Sequence, residues 1–265
     1  MLRTTALAML MAASFSPVLA QARPMQPDPA APTVILVHGA FADASSWDKV
    51  IPRLQMRGVH AVAVDNPLTS LADDVAATRA VIAAAPGKVV LVGHSWGGTV
   101  ITEAGADPKV SALVYVAAFA PDVGENSAQQ GTNFPVAPGL QHLREQDGFL
   151  SLPEDIVTTD FAQDVKPATA QQLYQRQIPL KAAALSEPVD NAAWRTHPSW
   201  YVLSRDDRML SPQLQAATAA RIGAELRSLG SSHASPVSEP AQVADAILEA
   251  AGLKPADRSP GFDGG

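Results

Sequence analysis

The chain has 265 residues, a formal net charge of −7, 47% hydrophobic and 17% charged residues, and no cysteine. That length and apolar content are enough to bury one full α/β core, which sets aside a disordered or fibrous protein. The acidic balance and the lack of a Lys/Arg cluster argue against nucleic acid or an anionic membrane surface as partner, and disulfide and thiol chemistry are excluded.

In chain order, Met1-Leu2-Arg3, the apolar stretch from Ala6 to Phe15 and the small residues of Val18-Leu19-Ala20-Gln21-Ala22 read as a secretory signal peptide over 1–22, cleaved after Ala20 or Ala22. The apolar run is shorter than the ~20 residues of a membrane span and Pro17 interrupts its end. The expectation is therefore an exported protein, periplasmic or secreted, with no membrane contact in its mature form. Residues 23–32 carry Pro24, Pro27, Pro29 and Pro32 and are expected to be an extended lead.

From Thr33 onward, continuous apolar runs alternate with segments of helical period. Val34 to Val37 is followed by a helix near Trp47 to Arg57, Ala61 to Val64 by one near Leu71 to Ala84, and Val89 to Val92 by one from Gly98 to Ala106. Leu113 to Ala117 completes a fourth strand. Strands without polar alternation are buried on both faces, so they predict a parallel sheet covered by helices. Ser70 with Asp73, and Ser211 before Pro212, supply helix-start signals.

Between about 121 and 196 the rhythm stops and the chain becomes rich in Gln, Pro and Asp, with amphipathic pieces at Glu154 to Val165 and Thr169 to Gln177. This reads as a helical insertion, a lid over a site. Its apolar residues Phe134, Leu140, Phe149, Ile156, Phe161, Leu173 and Tyr174 could line a pocket, but docking on the sheet is the role expected for most. The rhythm resumes with Trp200 to Leu203, a helix from Gln213 to Ile222, a strand near Glu225 to Leu229 and a helix from Glu239 to Ala251. The domain thus spans 33–253, a doubly wound, mostly parallel sheet of about six strands, and 254–265 is expected to be a flexible tail.

Chemistry concentrates at Gly93-His94-Ser95-Trp96-Gly97, directly after an apolar strand and before a helix. A serine hydroxyl becomes a useful nucleophile when a sharp strand-to-helix turn presents it beside a base and facing backbone donors, and glycines two residues either side give the room. Acyl transfer then needs a base, and a carboxylate to orient it. Asp206 and Asp207 follow the Trp200 strand and His233 follows the Glu225 strand, where open α/β sheets carry functional residues. Of the other histidines, His60 and His142 read as surface residues and His197 precedes Pro198. His38 reads as structural, and the His94 side chain is expected to point away from Ser95 and pack or hydrogen-bond under the loop.

From Thr33 to Leu253 the chain resembles the α/β-hydrolase-fold serine esterases. The resemblance is carried by Val37-His38-Gly39-Ala40-Phe41, Gly93-His94-Ser95-Trp96-Gly97-Gly98, Asp207-Arg208-Met209-Leu210-Ser211-Pro212 and Ser232-His233. It implies Ser95 as nucleophile, His233 as base and Asp207 as acid, with Asp206 the alternative one residue off. It assigns the oxyanion donors to the backbone N–H groups of Ala40 and Trp96, with Phe41 as fallback donor and pocket wall, although Trp96 and Phe41 would also serve as core aromatics. It implies no metal and no cofactor, and a small ester-like molecule as partner. Two departures stand out. No strand precedes Val34, so the first two strands of the eight-stranded form are missing, and Asp65-Asn66-Pro67-Leu68 stands where many relatives have a Gly-rich turn.

A carboxylesterase is the leading expectation. A cofactor-free perhydrolase or a C–C bond hydrolase would use the same triad, and a ligand receptor on a hydrolase scaffold is the non-catalytic alternative. An aspartate would stand at 95 in a haloalkane dehalogenase, and a hydroxynitrile lyase would typically carry a lysine where Ala234 follows His233. No His-Glu-x-x-His or helical histidine pair points to a metalloenzyme.

Overall fold

A computed structural model describes residues 31–254; the leader, most of the Pro-rich lead and nearly all of the tail lie outside the described residues. Strand β1 (Thr33–Val37) leads through a 3-10 turn at Ala44–Trp47 to helix α1 (Ile51–Gln55), then β2 (Ala61–Val64), α2 (Leu71–Ala84), β3 (Val89–His94), α3 (Trp96–Ala104) and β4 (Val110–Val116). The helix expected over Trp47 to Arg57 is split. Pro52 has no N–H to give and suits only a first helical turn, so α1 starts beside it.

The segment between β4 and Ser199 holds α4 (Ser127–Gln130), β5 (Arg144–Gln146), β6 (Phe149–Ser151), α5 (Glu154–Ile156) with a π turn at Val157–Phe161, α6 (Pro167–Arg176) and β7 (Leu180–Lys181). It was expected to be helical, and it also contains an antiparallel sheet in the order β5-β6-β7. Asp147 and Gly148 both take positive φ in the β5–β6 turn, as a tight hairpin requires. These strands are two or three residues long, too short to show a period in the sequence.

The chain then completes its main layer with β8 (Ser199–Ser204), α7 (Pro212–Arg221), β9 (Glu225–Leu229), α8 (Ser235–Ser238) and α9 (Pro240–Ala250). Six strands form one sheet in the order β2-β1-β3-β4-β8-β9, and every neighbouring pair is parallel. The six-stranded parallel sheet with helices on both faces matches the expectation. Alternate side chains feed two cores: Ile35, Val37, Val89 and Leu91 pack with the α2 and α3 face, whereas Val34, Leu36, Val90 and Val92 pack with Trp47 and α9. The caps read from the sequence form: Ser70 Oγ accepts from the Asp73 N–H and Ser211 Oγ from the Leu214 N–H.

Four non-glycine residues with positive φ, Phe41, Leu68, Ser95 and Ala117, stand just beyond the carboxyl ends of β1, β2, β3 and β4. Strain of this kind persists only where surrounding structure imposes it. It is concentrated at the one edge where open α/β sheets carry their chemistry.

Candidate active site

Ser95 sits between β3 and α3 with φ 52° and ψ −118°. Its N–H donates to the Val116 carbonyl at 3.1 Å, and its own carbonyl accepts from Gly98 at 3.0 Å and Phe119 at 3.3 Å, so the strained turn is held from both sides. A Cβ at Gly93 would lie 2.4 Å from the Gly97 carbonyl oxygen, and one at Gly97 2.4 Å from that of Val37. Only hydrogen fits at these two positions, which is the physical content of the Gly-x-Ser-x-Gly spacing.

Across the sheet edge, His233 Nδ1 and Asp207 Oδ2 are 2.7 Å apart and both residues are buried. Asp207 is fixed by its own loop: Oδ1 accepts from the N–H groups of Met209 at 2.7 Å and Leu210 at 2.8 Å. Oδ2 also accepts from the Gln215 side-chain amide at 2.7 Å. Asp206, the alternative acid, is exposed, and its backbone rather than its carboxylate is engaged, with the N–H bonded to Ser231 and the carbonyl to Gln163 Nε2.

Ser95 and His233 line one cavity of about 370 Å³, together with Ala40, Phe41 and Trp96. The inserted segment supplies Phe134, Val136, Leu140, Leu143, Leu180 and Leu185, and the β8–α7 loop and α7 supply Met209 and Leu214. Among the described residues no Asp, Glu, Lys or Arg lines it. Of the apolar residues singled out in the insertion, Phe134 and Leu140 line the cavity. Ile156 and Phe161 are buried in the core, and Leu173 and Tyr174 pack against it, as docking side chains do.

The neighbouring histidines serve the scaffold. His94 Nε2 lies 2.9 Å from the His233 carbonyl, an acceptor only, so the proton is on Nε2, and the buried Nδ1 has no partner among the described residues. Burial, with the nearby His233 acting in the same sense, pushes His94 down to about 3. His38 Nδ1 donates to the Gly39 carbonyl at 2.9 Å while Nε2 accepts the Asn66 N–H at 3.1 Å, which is the neutral ring; burial lowers its pKa as well. Asn66 Nδ2 donates back to the His38 carbonyl. The unusual Asp65-Asn66-Pro67-Leu68 turn thereby stitches the β2 loop to the loop carrying Ala40.

Two supporting residues escaped the sequence reading. Gln215 is fully buried; besides Asp207 it bonds the Leu210 carbonyl and, through Oε1, the Ser204 N–H. Asp74 is also fully buried and accepts the Trp96 indole N–H at 2.7 Å and the Leu68 N–H at 2.8 Å. Both lie on helices at positions that a single sequence presents as ordinary polar faces.

The sequence pattern of the alpha/beta hydrolase family matches residues 34–246. The chain is 28% identical over 244 residues to the alpha/beta hydrolase nvfD of Aspergillus novofumigatus, covering 83% of this chain and 97% of that one. It is 26% identical over 259 residues to esterase PIR7B of Oryza sativa subsp. japonica, covering 82% and 94%. Among solved structures, a pyrethroid hydrolase from Sphingobium faniae JZ-2 superposes with a TM-score of 0.71 at 22% identity, covering 83% and 97%.

Proposed function

The chain belongs to the alpha/beta hydrolase family, and from that premise we propose that it is a serine hydrolase cleaving uncharged, apolar carboxylic esters. The observation that carries this reading is the buried His233–Asp207 hydrogen bond at 2.7 Å on the same cavity that Ser95 lines from a strained turn. The relatives named esterase and pyrethroid hydrolase support the choice of an ester.

In the proposed cycle, Ser95 Oγ attacks the ester carbonyl carbon while its proton passes to His233 Nε2. The carbonyl π electrons move to oxygen, and the oxyanion is met by the backbone N–H groups of Ala40 and Trp96; such a donor is worth on the order of a hundredfold to a thousandfold in rate. Asp207 holds the imidazole and stabilises its cationic form. Collapse breaks the bond to the alcohol, which leaves with the proton from His233. Water then gives a proton to His233 and attacks the acyl-enzyme, and the acid departs as Oγ recovers its hydrogen. The inserted segment over 121–196 acts as the cover of the cavity, and Phe41 as part of its wall.

Ser95→Ala is expected to lower kcat on a p-nitrophenyl ester by about a millionfold, and an organophosphonate is expected to add one adduct mass at Ser95 of the wild type. Ordinary turnover by the variant would remove the mechanism. Among the described residues no helix is long and apolar enough to cross a membrane. Export rests on the leader at 1–22 and is tested by N-terminal sequencing of the mature protein, expected to begin at Gln21 or Arg23.

A further inference from the structure

The inserted segment reaches beyond the cavity. Five consecutive residues after α5, Asp160 to Gln163 and then Asp164, bracket both loops that carry the acid and the base. On the base side, the Phe161 carbonyl accepts the Ala234 N–H at 3.1 Å and the Phe161 ring meets the His233 ring edge-on, centroids 5.3 Å apart. Asp164 Oδ2 accepts the Ser232 N–H at 2.7 Å. The residues immediately before and after His233 are therefore both tied to the insertion, and its imidazole is packed against it.

On the acid side, Gln163 Nε2 donates to the Asp206 carbonyl at 2.6 Å, and the buried Asp160 pairs with Arg208 at 2.6 Å. The residues flanking Asp207 are thus held by the same five-residue stretch. None of Asp160, Phe161, Gln163 or Asp164 lines the cavity, so substrate contact does not account for this convergence.

We propose that Asp160–Asp164 is a positioning element for the His233–Asp207 pair, with Asp164 and Phe161 as its principal residues, so that the insertion governs the alignment of the base as well as covering the substrate. This rests on the reading of His233 as the base. A base displaced by about 1 Å can cost on the order of a hundredfold in rate. Substrate binding, which depends mainly on the apolar walls that residues 134–185 and α7 supply, changes little with the same displacement.

The test uses the full mature chain. Asp164→Ala removes the acceptor of the Ser232 N–H from an exposed position and is expected to lower kcat on p-nitrophenyl butyrate about ten- to a hundredfold, with KM within about twofold. Asp164→Asn keeps an acceptor oxygen and recovers most of that loss, and Phe161→Leu lowers kcat in the same way. The downfield proton resonance of the His233 Nδ1–H, assigned by its loss in His233→Gln, is expected to weaken or broaden in Asp164→Ala and return in Asp164→Asn. Wild-type kcat and an unchanged resonance in Asp164→Ala, with or without a lower melting temperature, overturn the proposal. Full activity in Ser95→Ala or His233→Gln instead overturns the hydrolytic reading, and the resonance still reports separately on the positioning.

Discussion

Gln215 donates its side-chain N–H to the same Asp207 oxygen that meets His233, at 2.7 Å in each case. The other end of its amide accepts the Ser204 N–H at the last residue of β8. One glutamine on α7 thus couples the end of an interior strand to the orientation of Asp207.

Gln215→Leu is expected to leave the buried Ser204 N–H without an acceptor, at a cost of about 1–3 kcal/mol, and to free Asp207 to rotate. Urea unfolding should show the lower midpoint, and kcat should fall with KM little changed. An unchanged midpoint and kcat would remove Gln215 from the supporting network.

Asp74 gives a pH dependence with a definite sign. Burial pushes its carboxyl up to about 6, opposed by the Trp96 and Leu68 N–H donors and reinforced by Asp73 and Glu187. A carboxyl raised above its unfolded value of 3.8 contributes stability at low pH and loses it as pH rises through about 6. The melting-temperature difference between Asp74→Asn and the wild type should therefore shift in favour of the variant between pH 4 and pH 7. A constant difference would show that the carboxyl does not titrate in that window.

His94 acts in the opposite sense. It is held neutral down to about 3, so the unfolded chain takes up a proton near 6.5 that the folded chain refuses. The stability it contributes is complete above pH 6.5 and declines as pH falls, by at most about 1.4 kcal/mol per pH unit. His94→Gln keeps a donor for the His233 carbonyl and has nothing to titrate, so its unfolding free energy should depend less on pH between 6.5 and 4. Identical slopes would contradict the neutral, buried ring.

Among the described residues no Lys or Arg lines the cavity, so none there offers a counter-ion to a charged acyl group. Burying an unpaired carboxylate costs several kcal/mol, so p-nitrophenyl butyrate should exceed p-nitrophenyl hemisuccinate in kcat/KM by roughly a hundredfold or more. Comparable values for the two esters would contradict the apolar reading of the site.

Most of the main strands were legible because burial on both faces forces unbroken apolar runs such as Val34 to Val37 and Val89 to Val92, a signal independent of neighbours, whereas the edge strand Glu225–Leu229 is mostly exposed and carries no such run. The elbow at Ser95 was legible because backbone crowding at 93 and 97 admits only glycine. The His233 and Asp207 positions followed from strand ends and the family resemblance. The small sheet of the insertion was not legible, since strands such as Leu180–Lys181 are shorter than any period. Gln215, Asp74 and Asp164 were equally hidden, because a polar residue on a helix or loop looks alike whether it meets water or a buried partner.

Local chemistry written along the chain thus determined the alternation of strands and helices, the tight bend at Ser95 and the loops from which a base and an acid could come. Only the tertiary structure decided which of two adjacent aspartates faces the imidazole, and which distant side chains hold that pair. Those choices are made by contacts between residues far apart in sequence, such as 26 positions for His233 and Asp207 and 68 for Asp164 and Ser232. A hydrogen bond of that kind exists only after the elements have packed, and it leaves no periodic trace in the residues that make it.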